Sequence, residues 1–424
     1  MRKNTRLGVA AIAALALTLS ACSASGGDDG DTGEAGGVVN LDFWAWGSNI
    51  DKRVDVWNAA NPDIQVEISA PASGVDMPVQ VLSAVRAGSG PDMAQSEFTQ
   101  LPTYVSAGVL ADLESDRDEI VDKFAPEVID TVTFDDTIFG IPQDLGPALL
   151  IYRDDTFEAN GYEPPATWDE FRALAEQVRT LDGDKYLLNV SSLDADLLMG
   201  LSLQNGAKWW DYSDGDWEVN IDDDATQEVL DYWQGMVEDD LVSTYQTNSP
   251  EHIEATASGR ILANISGAWA PGPLLNSYPD TVGLWAASQI PQWDASDPKV
   301  FARGGSANVV LENSEHKAEA IKFLYWLNAS DEGAEGLVEV NKFTAATHGQ
   351  NLDRAAPALM PDDDTYWPSA TEAASHLVNV QWGPNTQVAF TAITDELGDA
   401  IEGTVAWDKV LPTVQKVVSD DLAK

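Results

Sequence analysis

The chain has 424 residues, 44% of them hydrophobic, so it is long enough for two lobes or domains with sizeable cores. Its 70 acidic residues outnumber 23 basic ones, and the formal net charge of −47 excludes nucleic acid and anionic lipid surfaces as partners. A single cysteine excludes an internal disulfide and a cysteine-based metal site. The acids are spread along the whole chain, and we therefore interpret them as a highly soluble surface.

Residues 1–21 have the pattern of a secretory signal peptide. Arg2, Lys3 and Arg6 precede an apolar run of about 15 residues, shorter than the roughly 20 that span a bilayer. The run ends in Leu-Ser-Ala-Cys, and Cys22 is the one cysteine of the chain. This ending resembles the lipobox of bacterial lipoproteins, which implies cleavage before Cys22, acylation of its thiol and a lipid anchor in the membrane. The alternative is an anchor helix that is never cleaved.

The segment that follows the cysteine predicts a flexible tether. Residues 22–37 continue from Cys22 with small and acidic side chains only, and such a composition cannot bury apolar area. We therefore expect the folded body to begin at residue 38.

Strands and helices alternate along the first third of the body. The apolar periods predict strands at 38–44, 64–69 and 92–95 and helices at 51–60, 77–87, 101–107 and 115–129. A hairpin over 131–142, with Asp135 and Asp136 at its turn, leads into a strand at 148–152. This alternation is typical of βαβ units and of an α/β fold with a parallel sheet.

The rest of the chain continues in the same way. Thr167 begins a capping box for a helix to 180, and Ser249 with Pro250 begins a helix to 258. Ser314 is expected to cap a helix at 315–327. The remaining predictions are strands at 186–190, 260–266, 282–286 and 307–311, helices at 193–204 and 226–238, an apolar face of Ala318, Ile321, Leu324 and Tyr325 on the helix at 315–327, and a mostly helical tail beyond 388.

The sequence contains no motif for catalysis with a bound cofactor. A phosphate-binding loop, a dinucleotide fingerprint and a nucleophile elbow are all absent from it, and its four histidines are far apart. The acidic stretch 211–216 lacks the spacing of a helix–loop–helix calcium loop, so we interpret it as a turn. We therefore predict neither a cofactor nor a metal site.

Four stretches together resemble a known family. They are LDFWAWGS at 41–48, GPDMAQSE at 90–97, GIPQDLGPALLIY at 140–152 and ASGRILANISGAW at 257–269. In this order and behind a lipobox, they resemble the extracellular solute-binding proteins of ABC importers, in the sugar-binding group that includes maltose-binding protein.

The resemblance implies a periplasmic-binding-protein-like fold of two α/β lobes, joined by crossing hinge strands, with the ligand in the cleft between them. The first lobe would comprise residues 38–144 and 302–328, and the second 145–301 and 329–424. Such a monomer captures an oligosaccharide, closes around it by hinge bending and delivers it to the transmembrane subunits of an ABC permease, without making or breaking a bond.

Sugar chemistry and strand ends together suggest the binding residues. An aromatic ring covers the C–H face of a pyranose, polar side chains bond its hydroxyls, and ligands of α/β sheets lie beyond the strand ends. For Asp144 the alternative is a turn cap, and for Arg303 it is an ion pair. The candidates are Trp46, Ser48, Asn49, Ser96, Glu97, Gln143, Asp144, Trp269, Arg303 and Trp382, with Trp269 matching a ligand-stacking tryptophan of the family.

Three other functions remain open at this point. The same fold can bind a non-sugar solute such as a polyol, an amino-acid derivative or a glycerol phosphate, although Arg303 is nearly the only basic candidate near the predicted crossings. A secreted glycoside hydrolase would share the acids and tryptophans, but it needs two carboxylates about 5–10 Å apart around the scissile bond. A surface receptor without a transport role is the third.

Overall fold

One long strand, Ile141–Arg153, organises the folded body because it pairs with three other strands of the main sheet. The computed structural model describes residues 37–47, 49–71, 74–181, 184–213, 216–340 and 342–423. The predicted signal peptide, Cys22, most of the tether and Ser48 lie outside the described residues. The described strands are β1 (Val39–Trp44), β2 (Ile64–Ser69), β3 (Met93–Glu97), β4 (Thr133–Phe134), β5 (Thr137–Ile138), β6 (Ile141–Arg153), β7 (Trp210–Ser213), β8 (Asp216–Val219), β9 (Ala263–Gly267), β10 (Trp285–Gln289) and β11 (Ala302–Val310).

Helices cover both ends of this sheet. In chain order they are α1 (Ile50–Ala60), α2 (Met77–Arg86), α3 (Leu101–Ser106), α4 (Arg117–Val121), α5 (Pro126–Asp130), α6 (Asp154–Asn160), α7 (Trp168–Val178), α8 (Ala195–Gln204), α9 (Asp224–Glu238), α10 (Pro250–Ala257), α11 (Pro271–Ser277), α12 (Lys317–Asn328), α13 (Asp331–Glu339), α14 (Thr347–Gln350), α15 (Tyr366–Ala374), α16 (Thr386–Ile401) and α17 (Val410–Leu422). Among the described helices, none is both long enough and apolar enough to cross a bilayer.

The strands that pair with β6 change along its length. At one end, β1 runs parallel to β2 and β3, and β11 runs antiparallel to both β3 and the first half of β6. At the other end, the second half of β6 pairs antiparallel with β9 and β10. The change of partner falls between Pro147, which pairs with β11, and Ala148, which pairs with β9. Because β6 belongs to both regions and β11 pairs with it up to Pro147, where the change occurs, we call these two strands the crossing between the two lobes.

Several local predictions are confirmed. The hairpin forms with Asp135 and Asp136 at its turn, and their positive φ angles of 48° and 62° suit the tight turns of two-residue hairpins. The Thr167 hydroxyl accepts a hydrogen bond from the Glu170 N–H, as a capping residue does, and Ser249 caps α10 in the same way.

Other local predictions are wrong. The helix predicted at 115–129 is split into α4 and α5, because Pro126 lacks the N–H that would continue a helix and begins a new one. Residues 186–190 form isolated bridges, not a strand. The cap of α12 is His316, not Ser314. The buried apolar side chains of α12 are Ala320, Phe323, Leu324 and Leu327; of the predicted face Leu324 is fully buried, Ile321 and Tyr325 pack partly buried against the core, and Ala318 is exposed.

The segment after α12 packs on the β1–β3 side of the molecule. Helix α13 lies against α12 and α1, and the Arg53 guanidinium of α1 donates to the backbone carbonyl of Glu332 in α13. The Leu145 N–H donates to the Phe343 carbonyl at 2.8 Å, which brings the chain after α13 back to the crossing. The lobe boundaries at 144, 301 and 328 stay predictions, and these contacts favour a later end for the first lobe.

Candidate functional site

A hydrogen-bonded chain connects the carboxyl ends of β1 and β3 to the crossing strands. The backbone N–H of Trp46 donates to Gln95 Oε1 at 3.0 Å, and Gln95 Nε2 donates to Ser306 Oγ at 2.9 Å. The Ser306 hydroxyl in turn donates to one oxygen of Asp144, and Lys342 Nζ donates to the other at 2.9 Å. Parallel strands end at the same edge of a sheet, so this side of the crossing collects polar groups from five separate segments.

Glu97 ends β3 beside this chain and lacks a cationic partner among the described residues. Its recorded side-chain contact is the Thr99 hydroxyl, 3.4 Å from Oε2. Burial, together with the negative charges of Asp196 and Asp144, raises the pKa of Glu97 to about 7. A carboxyl group in this state accepts hydrogen bonds from a hydroxyl when ionised and donates one when protonated.

The guanidinium of Arg303 is surrounded by protein groups. Its Nε donates to Asp196 Oδ2 at 3.0 Å, its Nη2 donates to Asp194 Oδ1 at 3.0 Å, and its Nη1 donates to the backbone carbonyl of Ile265. Burial raises the pKa of Asp194, and the neighbouring Arg303 charge opposes this rise. The ion pair that the sequence left open for Arg303 is therefore present.

Trp269 presents its indole ring to solvent at the end of β9. It is 39% exposed, and its Nε1–H donates to the Arg303 carbonyl at 2.8 Å. By contrast, Trp57, Trp168 and Trp233 are buried in the cores. An exposed indole that is hydrogen-bonded to the backbone of a crossing strand offers a stacking surface at the crossing.

The other predicted site residues are placed differently from Glu97, Asp144 and Trp269. Ser96 and Gln143 are buried, with 1% and 0% exposure, so they do not present surface to a ligand. Asn49 precedes α1 in the left-handed conformation, with no side-chain capping bond. Trp382 is buried and lines two cavities of about 750 and 340 Å³, neither of which includes Trp269 in its wall. The smaller cavity also includes Thr99, Leu145 and Gly304, so Trp382 lies beside the crossing.

Sequence reasoning missed five polar residues of this region, namely Gln95, Asp194, Asp196, Ser306 and Lys342. Gln95 was hidden because it lies inside a strand, and Lys342 because it follows the predicted end of the first lobe. Asp194 and Asp196 had a usable signal, since they start a helix directly after a stretch predicted to be a strand. Lys342 also means that Arg303 is not the only cation at the crossing.

The arrangement is suited to binding polyhydroxylated molecules. Glu97, Asp144 and Asp196 supply carboxylate acceptors from two sides of the crossing, and Trp269 supplies an exposed ring. We name Trp46, Glu97, Asp144, Asp196 and Trp269 the interlobe site. The described residues contain no group of three or more side chains that would hold a metal ion.

The fold and this site define a class of protein, the two-lobed solute-binding proteins that hold a ligand between their lobes. The model of the bacterial extracellular solute-binding protein family matches residues 45–334, and the chain belongs to this family.

Relatives of this chain are named as sugar-binding proteins. A lactose-binding protein of Rhizobium radiobacter is 27% identical over 400 residues, which cover 88% of this chain and 91% of that protein. An arabinooligosaccharide-binding protein of Halalkalibacterium halodurans is 25% identical over 315 residues, covering 71% and 70%. The structure of the galacto-N-biose-/lacto-N-biose I-binding protein of the Bifidobacterium longum ABC transporter, in complex with lacto-N-biose, superposes with a TM-score of 0.82 at 25% identity and covers 92% of this chain and 98% of that one. These relatives are binding proteins, not enzymes.

Proposed function

We propose that this protein captures an oligosaccharide between its two lobes and delivers it to the transmembrane subunits of an ABC permease. The single observation that carries the proposal is the exposed indole of Trp269, which is held by the carbonyl of Arg303, the residue whose guanidinium bonds Asp194 and Asp196. The sugar-binding relatives, which match most of this chain, support the same function.

The two-lobed fold supplies the mechanism. Trp46, Glu97 and Asp144 lie on the β1–β3 side of the crossing, whereas Trp269 follows β9 on the other side. A sugar that contacts both sides binds the closed arrangement more tightly than the open one, and it therefore shifts the population toward closure. The permease then recognises the closed form.

Individual residues take different roles in this proposal. Trp269 stacks on the apolar face of a pyranose, while Glu97 and Asp144 accept hydrogen bonds from its hydroxyls. Ser96 and Gln143 support the site from beneath, because they are buried. Asn49 and Ser48, next to Trp46, and Trp382, in the neighbouring cavities, would contact further rings of a longer ligand.

We further propose that the mature protein is a monomer, tethered to the outer face of the cell membrane by acyl chains on Cys22. The lipobox-like sequence before Cys22 and the acidic tether after it support this arrangement. Several acyl chains hold a protein firmly, at about 0.8 kcal/mol for each buried methylene. Metabolic labelling with a fatty-acid analogue tests it: the wild type should be labelled and retained in the membrane fraction, and Cys22→Ala should be neither.

A thermal-shift screen of residues 38–424 tests the binding function. The panel contains neutral oligosaccharides, polyols, amino acids and phosphorylated solutes. A ligand present at 100 times its dissociation constant should stabilise the protein by about 2.7 kcal/mol. A shift with an unaltered oligosaccharide supports the proposal, a shift with non-sugars only replaces the solute class, and release of shortened sugars would identify a hydrolase.

Trp269→Ala sharpens this test. Removing a tryptophan at the centre of a binding site costs about 2 kcal/mol or more, which is about thirtyfold in affinity by calorimetry. Trp407→Ala is the matched control, because Trp407 is half-buried beside α17, away from the crossing. Equal affinities of the two variants for the sugar would contradict the role of Trp269.

A further inference from the structure

Arg303 lies at the most crowded point of the crossing. The pairing of β11 with β6 shifts between Ala302 and Gly305, so Arg303 and Gly304 form a bulge in β11. Bulges redirect side chains next to functional sites. Here the bulge turns the Arg303 guanidinium toward the start of α8 and leaves its carbonyl facing Trp269.

Glycines pack against the Arg303 carbonyl from two other strands. A Cβ atom at Gly146 of β6 would lie 2.2 Å from this oxygen, and a Cβ at Gly267 of β9 would lie 2.4 Å from it. Both distances are far below van der Waals contact, so only glycine fits at these positions. The carbonyl that bonds Trp269 is therefore in close contact with both strands, and its position depends on how Arg303 is held.

The side chain of Arg303 is also held, by hydrogen bonds to β9 and to the start of α8. Its three donor nitrogens bond the carboxylates of Asp194 and Asp196 and the carbonyl of Ile265, and the side chain is only 15% exposed. Asp194 is further held by the Thr247 hydroxyl at 2.9 Å. One residue thus connects β11, β9, the start of α8 and the exposed indole.

We propose that Arg303 is a positioning residue, which fixes Trp269 and Asp196 for the sugar and does not itself contact it. A guanidinium forms a rigid fork, so it can hold two carboxylates in a defined geometry that an ammonium group cannot reproduce. The inference rests on the proposed sugar-binding function for its affinity readout, but the positioning itself can be measured without ligand.

Fluorine NMR of protein labelled with 5-fluorotryptophan measures the positioning directly. The Trp269 resonance is assigned as the one that disappears in Trp269→Phe. In sugar-free Arg303→Gln this resonance should shift or broaden, while the resonances of the buried tryptophans stay in place. Arg303→Lys should give a smaller change, and it replaces Arg303→Gln if that variant does not fold. An unmoved Trp269 resonance in both variants would overturn the proposal.

Calorimetry then separates positioning from direct contact. Loss of two pre-ordered side chains should weaken sugar binding about tenfold in Arg303→Gln. This loss should shrink markedly when Trp269→Ala and Asp196→Asn are already present, because Arg303 acts through these residues. An undiminished loss in that background would mean that Arg303 bonds the sugar itself, and would contradict the proposal.

Arg153→Gln is the matched control. Arg153 is also a largely buried arginine on a strand of the same sheet, and it pairs with Asp155 away from the interlobe site. It should leave both the Trp269 resonance and the sugar affinity unchanged. If Arg303→Gln lowers only the unfolding free energy, as Arg153→Gln does, the positioning role is refuted. If the wild type binds no sugar while the resonance moves as expected, the proposed function fails and the positioning stands.

Discussion

Two arginines with similar chemistry occupy different positions in this fold. Arg153 ends β6 and bonds both oxygens of Asp155, two residues away, at 2.8 Å each. Arg303 bonds two aspartates that lie 107 and 109 residues away along the chain. The first pair is local, so sequence spacing alone brings its partners together, whereas the second exists only after two distant segments have docked. A long-range pair can therefore hold parts of a binding site in place, and a local one cannot.

The glycines next to the two arginines differ in the part of the arginine that they contact. A Cβ atom added at Gly259 would meet the end of the Arg153 side chain, 2.9 Å from Nη1. A Cβ atom added at Gly146 or Gly267 would instead meet the backbone carbonyl of Arg303. A side-chain end can move aside at low cost, but a carbonyl held in a sheet cannot. The crossing is consequently the less tolerant of the two regions.

The largest expected effect is at the crossing. Gly146→Ala places a methyl group against the Arg303 carbonyl and should lower the free energy of unfolding by about 3 kcal/mol, at the upper end of overpacking costs. Urea denaturation measures this change. Gly272→Ala is the control, because a Cβ there meets no atom within 4 Å and alanine favours the helix. Similar stabilities of the two variants would show that the crossing tolerates rearrangement.

A smaller effect is expected at Glu97, the carboxyl group that lacks a cationic partner among the described residues. The pKa of Glu97 rises from its ordinary 4.5 to about 7 on folding, so the folded protein holds a proton that the unfolded chain releases. This contribution to stability is fully present below pH 4.5 and is lost as the pH rises toward 7. Glu97→Gln cannot ionise, so it should gain about 2 kcal/mol over the wild type between pH 5 and pH 8. Urea denaturation of both proteins at the two pH values, without sugar, measures the difference, and parallel pH profiles would refute the shift.

The smallest effect is expected at the local pair. Arg153→Gln removes a fork to Asp155, but Asp155 is 38% exposed, so water partly replaces the lost partner. We expect a loss of about 1 kcal/mol in unfolding free energy, between the values for exposed and buried pairs. A loss as large as that of Gly146→Ala would remove the distinction between the local pair and the crossing.

Local features of the fold were predictable because their partners are close in the sequence. The turn at Asp135 and the caps at Thr167 and Ser249 depend on neighbours within a few residues. The division of the helix at Pro126 was missed, although proline carries that signal itself. Predictions that rested on periodicity were less secure, since the buried face of α12 depends on what packs against it.

The candidate site was only partly predictable. Glu97 and Trp269 follow predicted strands and Asp144 follows the predicted hairpin, and the structure places all three around the crossing. The burial of Ser96 depends on the neighbouring strand β11, which is distant in the sequence. Its exposure therefore could not be read from its position after a strand.

The sequence by itself determined the class of the protein, because its order of motifs and its length identify a two-lobed solute-binding fold. Tertiary structure decided which polar groups share the site, for Lys342 reaches Asp144 across 198 residues and Arg303 reaches Asp196 across 107. The physical reason is the separation along the sequence over which each kind of interaction acts. Propensities, caps and turns act over a few residues, whereas the pairing of charges at the crossing requires two lobes to be built first.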